Sequence, residues 1–272
     1  MKKNVCVITG GGSGMGLAAA KCMPTEKIIV VTGRTMSKLE KAVKELEDLG
    51  YEAYAKTCDT SKREQVRELA QFAASFGEIK NVINSAGLSP AMAKPEQLIR
   101  VNALGTVYIN EEFSKLMKAG SVIVDISSNS AYILPGFLAN KKTFALADKD
   151  EDLFVKKILS FPNKLKGYKA SGLAYGLSKK FVIWYAAKCA YEYGPKGIRV
   201  CSLSPGLIAT DMGNLESEEG GNLLNTTAER RMGKPEELGF AIATVADERN
   251  GYLAGVDVLV DGGSVNGKEF VK

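Results

Sequence analysis

Histidine is absent from this 272-residue sequence, and cysteine is scarce. Without histidine, a Ser-His-Asp hydrolase and a zinc site with histidine ligands are both excluded. The five cysteines are scattered along the chain, and none forms a C-x-x-C pair. This pattern predicts small core residues in a reducing compartment, the cytoplasm, rather than disulfides or metal ligands. No metal is therefore expected.

Long apolar runs are also missing. None approaches the roughly 18 residues of a transmembrane helix, and the short run at residues 5–9 predicts a buried strand rather than a signal peptide. The formal charge of +5 comes from lysines dispersed among glutamates. Basic clusters at 141–142, 156–157 and 164–169 indicate a solvated surface, with no nucleic-acid-binding signature beside them. Neither a membrane nor a nucleic acid is an expected partner.

Apolar strand patterns alternate with helical patterns along the whole chain. This alternation predicts an α/β fold, a doubly wound parallel sheet of the Rossmann type with helices on both faces. With no linker or repeat in view, we expect one domain covering 1–272, with about seven strands. The predicted strands are residues 5–9, 28–32, 51–58, 79–83, 121–126, 198–203 and 256–260.

The first strand runs into a glycine-rich turn, Gly10-Gly11-Gly12-Ser13-Gly14-Met15-Gly16, which a helix follows. Strand, turn and helix together form the context of a dinucleotide fingerprint. Gly10 permits the tight turn, Gly14 lets the backbone approach a pyrophosphate, and Gly16 allows close packing. The pyrophosphate would lie at the helix N-terminus, where free N–H groups favour anions. The alternative is a merely flexible turn.

The second strand ends at Gly33-Arg34, where an NAD-selective fold places an acid for the ribose hydroxyl. An arginine there accommodates the 2′-phosphate instead, so the sequence favours NADP, although NAD is an open alternative and Arg34 could be a surface residue. The next helix is predicted to start at a Ser37 cap and to close at Gly50.

A Tyr175-x-x-x-Lys179 pair is predicted to lie in the first turn or two of a long helix that ends near Gly194. Positions i and i+4 share a helix face, so both side chains can reach one cavity. A nearby cation favours the phenolate and lowers the pKa of a tyrosine, which a general acid/base needs. Taken alone the pair could be a solvated helix face.

Residues 129–172 form the least regular part of the chain, with a helical pattern through much of 144–159. A structureless loop of this length is unusual in a compact domain, so we expect helices and a role in substrate choice and assembly. Its apolar residues need burial against the pocket mouth or another subunit. The polar stretch 211–230 is expected to act as a substrate lid.

The ordered motifs resemble those of the classical short-chain dehydrogenase/reductases over nearly the whole length. The matching segments are Thr9-Gly10-x-x-x-Gly14-x-Gly16, Asp59, Asn84-x-Ala86-Gly87, Asn102, Ser128, Tyr175-x-x-x-Lys179, Pro205-Gly206-x-x-x-Thr210, Arg231-x-Gly233-x-Pro235-Glu236-Glu237 and Asp261-Gly262-Gly263. The resemblance implies an NADP-dependent oxidoreductase that interconverts a secondary alcohol and a ketone, and a homodimer or homotetramer.

The resemblance also implies the role of each site residue. Ser128 would hold the substrate oxygen, Tyr175 would pass its proton, Lys179 would bind the nicotinamide ribose and Asn102 would place a water. Asp59 would contact adenine, Asn84 would brace the sheet beside the cofactor, and Ile208 and Thr210 would hold the carboxamide. The other implied cofactor contacts are Thr9, Gly10, Gly12, Ser13, Gly14, Met15, Gly16, Arg34, Ala86, Gly87, Pro205 and Gly206.

Two features depart from the usual layout. Ser128 and Tyr175 are 47 positions apart, and the distance from Asn84 to Asn102 is short. Both are similar to the subgroup of bacterial 3α-hydroxysteroid dehydrogenase/carbonyl reductase, which suggests a hydroxysteroid or bile acid substrate. Ser127 leaves open which hydroxyl polarises the carbonyl. The competing hypotheses are a non-catalytic dinucleotide sensor, which typically loses the Tyr or Lys, and a nucleotide-sugar epimerase or dehydratase, which usually carries a larger C-terminal substrate domain.

Overall fold

Seven parallel strands form one sheet in the computed structural model, which describes residues 3–210, 212–213 and 223–270. The strands are β1 (Asn4–Thr9), β2 (Ile28–Gly33), β3 (Glu52–Thr57), β4 (Glu78–Asn84), β5 (Ser121–Ile126), β6 (Ile198–Pro205) and β7 (Asp257–Val260). Their order is β3-β2-β1-β4-β5-β6-β7. The predicted doubly wound sheet and its seven strands are confirmed, and the order reverses between β1 and β4.

Helices cover both faces of the sheet. They are α1 (Gly14–Cys22), α2 (Met36–Asp48), α3 (Arg63–Phe76), α4 (Pro95–Leu98), α5 (Gly105–Ser114), α6 (Ser130–Ile133), α7 (Lys141–Phe144), α8 (Glu151–Ile158), α9 (Gly167–Tyr193) and α10 (Pro235–Val245). One apolar core contains residues of α3, α5 and α9, and the other contains residues of α1, α2 and α10. Strands β1 and β5 are mostly apolar because both of their faces are buried.

Two predicted helix starts are wrong. The N-cap of α2 is Thr35, which is extended, and Ser37 lies inside the first turn. Gly50 does close this helix, with a φ of +88° that a glycine adopts without strain. Helix α9 begins at Gly167, so Tyr175 occupies its third turn rather than the first or second. The irregular segment was expected to extend to residue 172, but its last six residues belong to this helix.

A π-helical segment, Ile99–Leu104, joins α4 to α5. The sequence predicts continuous helix there and gives no sign of the wider turn. Within the segment, Asn102 is buried and lies on the side that faces the end of β4. Single π-helical turns occur often at functional sites, where they redirect one side chain.

The insertion, 129–172, contains the expected helices, although 145–149 are turns rather than helix. It packs on the same chain's α9. The ring of Phe154 lies 5.1 Å from that of Phe181, and the ring of Phe144 lies 5.4 Å from it. Glu151 at the start of α8 accepts hydrogen bonds from Arg63 at 3.2 Å and from the Tyr108 hydroxyl at 2.5 Å. Not every apolar side chain of the insertion is covered, since Phe137 is 80% exposed.

The predicted substrate lid, 211–230, is described only in part, because residues 211 and 214–222 lie outside the described part of the chain. Among the helices that the structure does describe, none is both long and apolar enough to cross a bilayer.

Candidate active site

A cleft with a volume of about 540 Å³ opens at the carboxyl edge of the sheet, beside the ends of β1, β2 and β4. In open α/β sheets, ligands bind at this edge where the strand order reverses. The sequence-predicted residues that line it are Thr9, Gly10, Ser13, Gly14, Met15, Gly16, Arg34, Asp59, Ala86, Gly87 and Thr210.

The glycine-rich turn brings the main chain at Gly16 close to the main chain at Gly10. Gly10 has a φ of +66° and Gly14 a φ of +55°, conformations that L side chains rarely adopt. A Cβ on Gly16 would lie 2.5 Å from the carbonyl oxygen of Gly10, so only glycine fits there. The turn and the N-terminus of α1 therefore fit the pyrophosphate of a dinucleotide. Gly12 does not line the cleft; a Cβ there would lie 3.3 Å from the side chain of Leu39.

Thr9 and Asn84 join the ends of β1 and β4. The Thr9 hydroxyl donates to Asn84 Oδ1 at 3.1 Å and accepts from the Ala86 N–H at 2.9 Å. The Ser85 hydroxyl donates to the Thr9 carbonyl at 2.9 Å. Asn84 is thus placed behind the cleft wall, in the bracing position that the resemblance implies, rather than in the cleft itself.

The outer end of the cleft carries the residues expected to select the cofactor. Asp59 Oδ1 accepts hydrogen bonds from the N–H and hydroxyl of Ser61, at 3.0 and 2.7 Å, so this carboxylate is held in place. Arg34 lines the cleft together with Lys38, which sequence reasoning missed. The signal was its position four residues after Arg34, in the first turn of α2.

A smaller pocket, of about 60 Å³, adjoins the cleft and is lined by Ser128, Tyr175 and Lys179, whereas Asn102, also predicted as catalytic, is not among its lining residues. The Lys179 ammonium donates to the Ile126 carbonyl at 2.9 Å and lies 5.7 Å from the centre of the Tyr175 ring. The Ser128 hydroxyl accepts from the Ser130 N–H at 3.1 Å. The lining also includes Met15, Gly87, Pro205, Gly206, Ile208 and Thr210, all sequence-predicted.

Both serines at the end of β5 border this pocket, but their hydroxyls differ. Ser127 Oγ donates to the main-chain carbonyl of Lys179 at 2.8 Å. Ser128 Oγ has only a 3.5 Å contact with Asn129 Oδ1 as an acceptor, which is long for a hydroxyl hydrogen bond. Ser128 is therefore the serine whose O–H can turn towards a substrate oxygen.

Asn102 is held by the chain that follows β4. Its Oδ1 accepts from the Leu88 N–H at 2.8 Å, and its Nδ2 donates to the Leu88 carbonyl at 2.9 Å. A Cβ on Gly87 would lie 3.3 Å from Asn102 Oδ1 and 3.5 Å from Lys179 Nζ, so these two groups flank the same glycine. The side-chain amide of Asn102 is thus hydrogen-bonded to the main chain of Leu88. It lies beside Lys179, close to where it is predicted to place a water.

Comparison with known proteins agrees with this geometry. The family model described as short chain dehydrogenase matches residues 4–138, and the model described as Enoyl-(Acyl carrier protein) reductase matches residues 158–265. The chain belongs to the short-chain dehydrogenase/reductase family. It is an NAD(P)-dependent oxidoreductase of that family that acts on CH–OH groups.

Three relatives illustrate the family likeness. The chain is 28% identical to short-chain dehydrogenase/reductase bsc3 of Alternaria brassicicola, with 97% of each chain covered. It is 26% identical to the cyclohexanol dehydrogenase of Acinetobacter sp., with 95% of this chain and 93% of that protein covered. A Burkholderia cenocepacia short chain dehydrogenase in complex with NADP has a similar fold, with a TM-score of 0.77, 22% identity and 97% and 98% coverage.

Proposed function

We propose that the protein interconverts a secondary alcohol and a ketone with NADP as cofactor and Tyr175 as general acid/base. The observation that carries the proposal is the meeting of Ser128, Tyr175 and Lys179 in one pocket beside the dinucleotide cleft. When bound, the nicotinamide supplies or accepts the hydride. The Ser128 hydroxyl donates to the substrate oxygen, and Tyr175 exchanges the proton with it.

The positive charge of Lys179 acts on the Tyr175 phenol. The lysine residue is 6% exposed and its ammonium is held by the Ile126 carbonyl, so its charge is little screened by water. A cation at this position favours the phenolate over the phenol and helps proton release at working pH. The same ammonium would bind the hydroxyls of a ribose in the adjoining cleft.

The preference for NADP rests on the charges at the outer end of the cleft. Arg34 and Lys38 both line it, and Gly33 stands where an NAD-selective chain carries an acid. Two cations can contact a 2′-phosphate through charge-assisted hydrogen bonds. No carboxylate at residue 33 repels that phosphate.

The substrate we propose is an apolar ring ketone or its alcohol, with hydroxysteroids and bile acids included. Leu88, Met92 and Val101 add apolar surface to the cleft, next to the catalytic pocket. The name of the Acinetobacter relative describes a secondary alcohol on a six-membered ring. The long segment before α9 also resembles the hydroxysteroid dehydrogenase subgroup.

We further propose a cytoplasmic homo-oligomer, a dimer rather than a tetramer. Phe144 and Phe154 of the insertion cover the ring of Phe181 on α9 within one chain. That α9 face is then unavailable to a second subunit, and association would use another surface. Light scattering of the full chain tests this, since a tetramer would contradict it.

The test of function is an NADPH-oxidation assay with cyclohexanone, 3-keto and 7-keto steroids, quinones and an open-chain ketone. We expect turnover with ring ketones and tighter binding of NADPH than of NADH. Binding is measured separately by fluorescence titration of each cofactor. Equal affinities would remove the NADP assignment, and turnover of quinones alone would remove the ring-ketone assignment.

A further inference from the structure

A carboxylate is buried directly behind the catalytic pocket. Asp125 of β5 is fully buried, although it lies in an otherwise apolar run of strand. Its carboxylate accepts hydrogen bonds from Asn84 Nδ2 at 2.8 Å and from Asn110 Nδ2 at 2.9 and 3.1 Å. A buried carboxylate is costly unless hydrogen bonds and a counter-charge compensate it.

The counter-charge comes from α9. Asp125 and Ser127 are two residues apart at the end of β5, so their side chains lie on the same face of the sheet. The Ser127 hydroxyl donates to the Lys179 carbonyl. The Lys179 ammonium is bonded to the carbonyl of Ile126, the residue between them. Burial raises the pKa of Asp125 to about 6, and the hydrogen bonds from Asn84 and Asn110 and the charge of Lys179 oppose this rise. The carboxylate is therefore ionised at neutral pH.

Among the described residues that interact with Asp125, Lys179 is the only charged one. Asn84 of β4 and Asn110 of α5 are neutral donors. Cys189 of α9 and Cys201 of β6 also feel its charge, but burial raises the pKa of both thiols, so they stay neutral. Lys179 is thus the charged group on which Asp125 acts, although burial and the hydrogen bonds from Asn84 and Asn110 influence the pKa of Asp125 more strongly.

We infer that Asp125 is a positioning residue whose negative charge opposes Lys179 and keeps Tyr175 protonated over a wider pH range. This inference rests on the proposed roles of Tyr175 and Lys179. The Ile126 carbonyl holds the ammonium, and the negative charge of Asp125 weakens the pull of that ammonium on the phenol. The proton donor that ketone reduction needs therefore persists at neutral pH. The arrangement favours reduction of a carbonyl over oxidation of an alcohol.

The test replaces the charge and keeps the shape. In Asp125→Asn, the amide oxygen can still accept from Asn84. The new N–H₂ replaces an oxygen that accepts from Asn110 Nδ2, so the Asn110 amide must turn over to present its Oδ1, which has no hydrogen-bond donor within the described chain. Without the negative charge, we expect the titration midpoint of Tyr175 to fall by roughly half to one pH unit, less than a direct ion pair would cause. The midpoint of kcat/KM for ketone reduction should fall with it. Below about pH 6, where Asp125 takes up its proton, the kcat/KM values of the variant and the wild type should become equal.

The direct readout is NMR of ¹³Cζ-tyrosine protein, with the Tyr175 signal identified by its loss in Tyr175→Phe. The matched control is Asp148→Asn, which removes a carboxylate that pairs with Lys188 further along α9 at 3.0 Å; its midpoint should match the wild type. A Tyr175 midpoint that is unchanged or rises in Asp125→Asn overturns the inference. Full activity of Tyr175→Phe would instead overturn the proposed function, whatever the titration shows.

Discussion

The Ser127 hydroxyl donates a 2.8 Å hydrogen bond to the main-chain carbonyl of Lys179, while the adjacent Ser128 hydroxyl makes no such contact with α9. Two neighbouring serines therefore have different tasks. One fixes the catalytic helix against the end of β5, and the other has its O–H available to the pocket. The distinction also decides which serine should matter for chemistry.

Ser128→Ala should lower kcat/KM by about 10²–10³-fold, the usual loss when one donor to a developing oxyanion is removed. Ser127→Ala serves as the matched variant. It should keep most of the activity and lower the free energy of unfolding by about 1 kcal/mol, since it removes one buried hydrogen bond. Steady-state kinetics and urea unfolding of both variants measure this. A larger kinetic loss in Ser127→Ala than in Ser128→Ala would reverse the assignment.

Tyr175→Phe should remove turnover by 10²–10⁴-fold or more, because the phenyl ring keeps the packing and loses only the proton donor. NADPH should bind to it nearly as tightly as to the wild type, which fluorescence titration measures. Tyr191→Phe is the control, because Tyr191 is on the same helix and is 90% exposed. Substantial reduction of any ketone by Tyr175→Phe would contradict the proposed role.

Arg34→Ala should weaken NADPH binding by about ten- to a hundredfold, the worth of a charge-assisted contact to phosphate. NADH affinity should change little, since NADH lacks the 2′-phosphate. Lys38→Ala should have a smaller effect in the same direction. Lys41→Ala is the control, because Lys41 lies on α2 but not in the cleft. An equal loss for both cofactors would indicate that Arg34 contacts a part they share.

Much of the site was predictable because parallel strands deliver their carboxyl ends to one edge. Continuous apolar runs predicted the strands, and each motif residue at a strand end then had to reach that edge. Thr9, Ser128 and Gly206 are of this kind. Motifs that are far apart in the sequence are therefore brought together at one cleft.

Other features depend on contacts between distant segments and were not predictable. The π-helical turn at Asn102 accompanies hydrogen bonds to Leu88, and no local pattern shows them. The helix start at Gly167 was missed because two glycines ahead of Tyr175 are expected to weaken a helix, yet the packing of the insertion on α9 supports it. The sequence pattern predicts Asp125 only as one residue of a strand, although a lone acid inside an apolar run is itself a signal of a buried carboxylate.

Phe154→Ala should lower the free energy of unfolding by about 3–5 kcal/mol, because it empties a fully buried site against Phe181. Phe137→Ala removes the same ring from the same insertion, but there the side chain is 80% exposed, so the change should stay within about 0.5 kcal/mol. Urea unfolding of both variants checks the pair. Similar values for the two would mean that the insertion does not pack on α9 as described.

The burial of Asp125 should make stability depend on pH. Burial raises its pKa from 3.8 to about 6, so the folded chain holds this proton more tightly than the unfolded chain does. The stability that the protonated carboxyl contributes is therefore present below about pH 4 and is lost as the pH rises through about 6. A shift of about two pKa units corresponds to roughly 3 kcal/mol at pH 7 and above.

Asp125→Asn has no charge to bury, so its advantage over the wild type in the free energy of unfolding should grow between about pH 4 and pH 6 and stay level above that. Urea unfolding at half-unit steps from pH 4 to pH 8 measures the difference. Asp148→Asn, which removes a partly exposed ion pair with Lys188, should differ from the wild type by at most about 1 kcal/mol at neutral pH. A difference between Asp125→Asn and the wild type that does not vary with pH would mean that Asp125 is ionised at no greater cost in the folded chain than in the unfolded one.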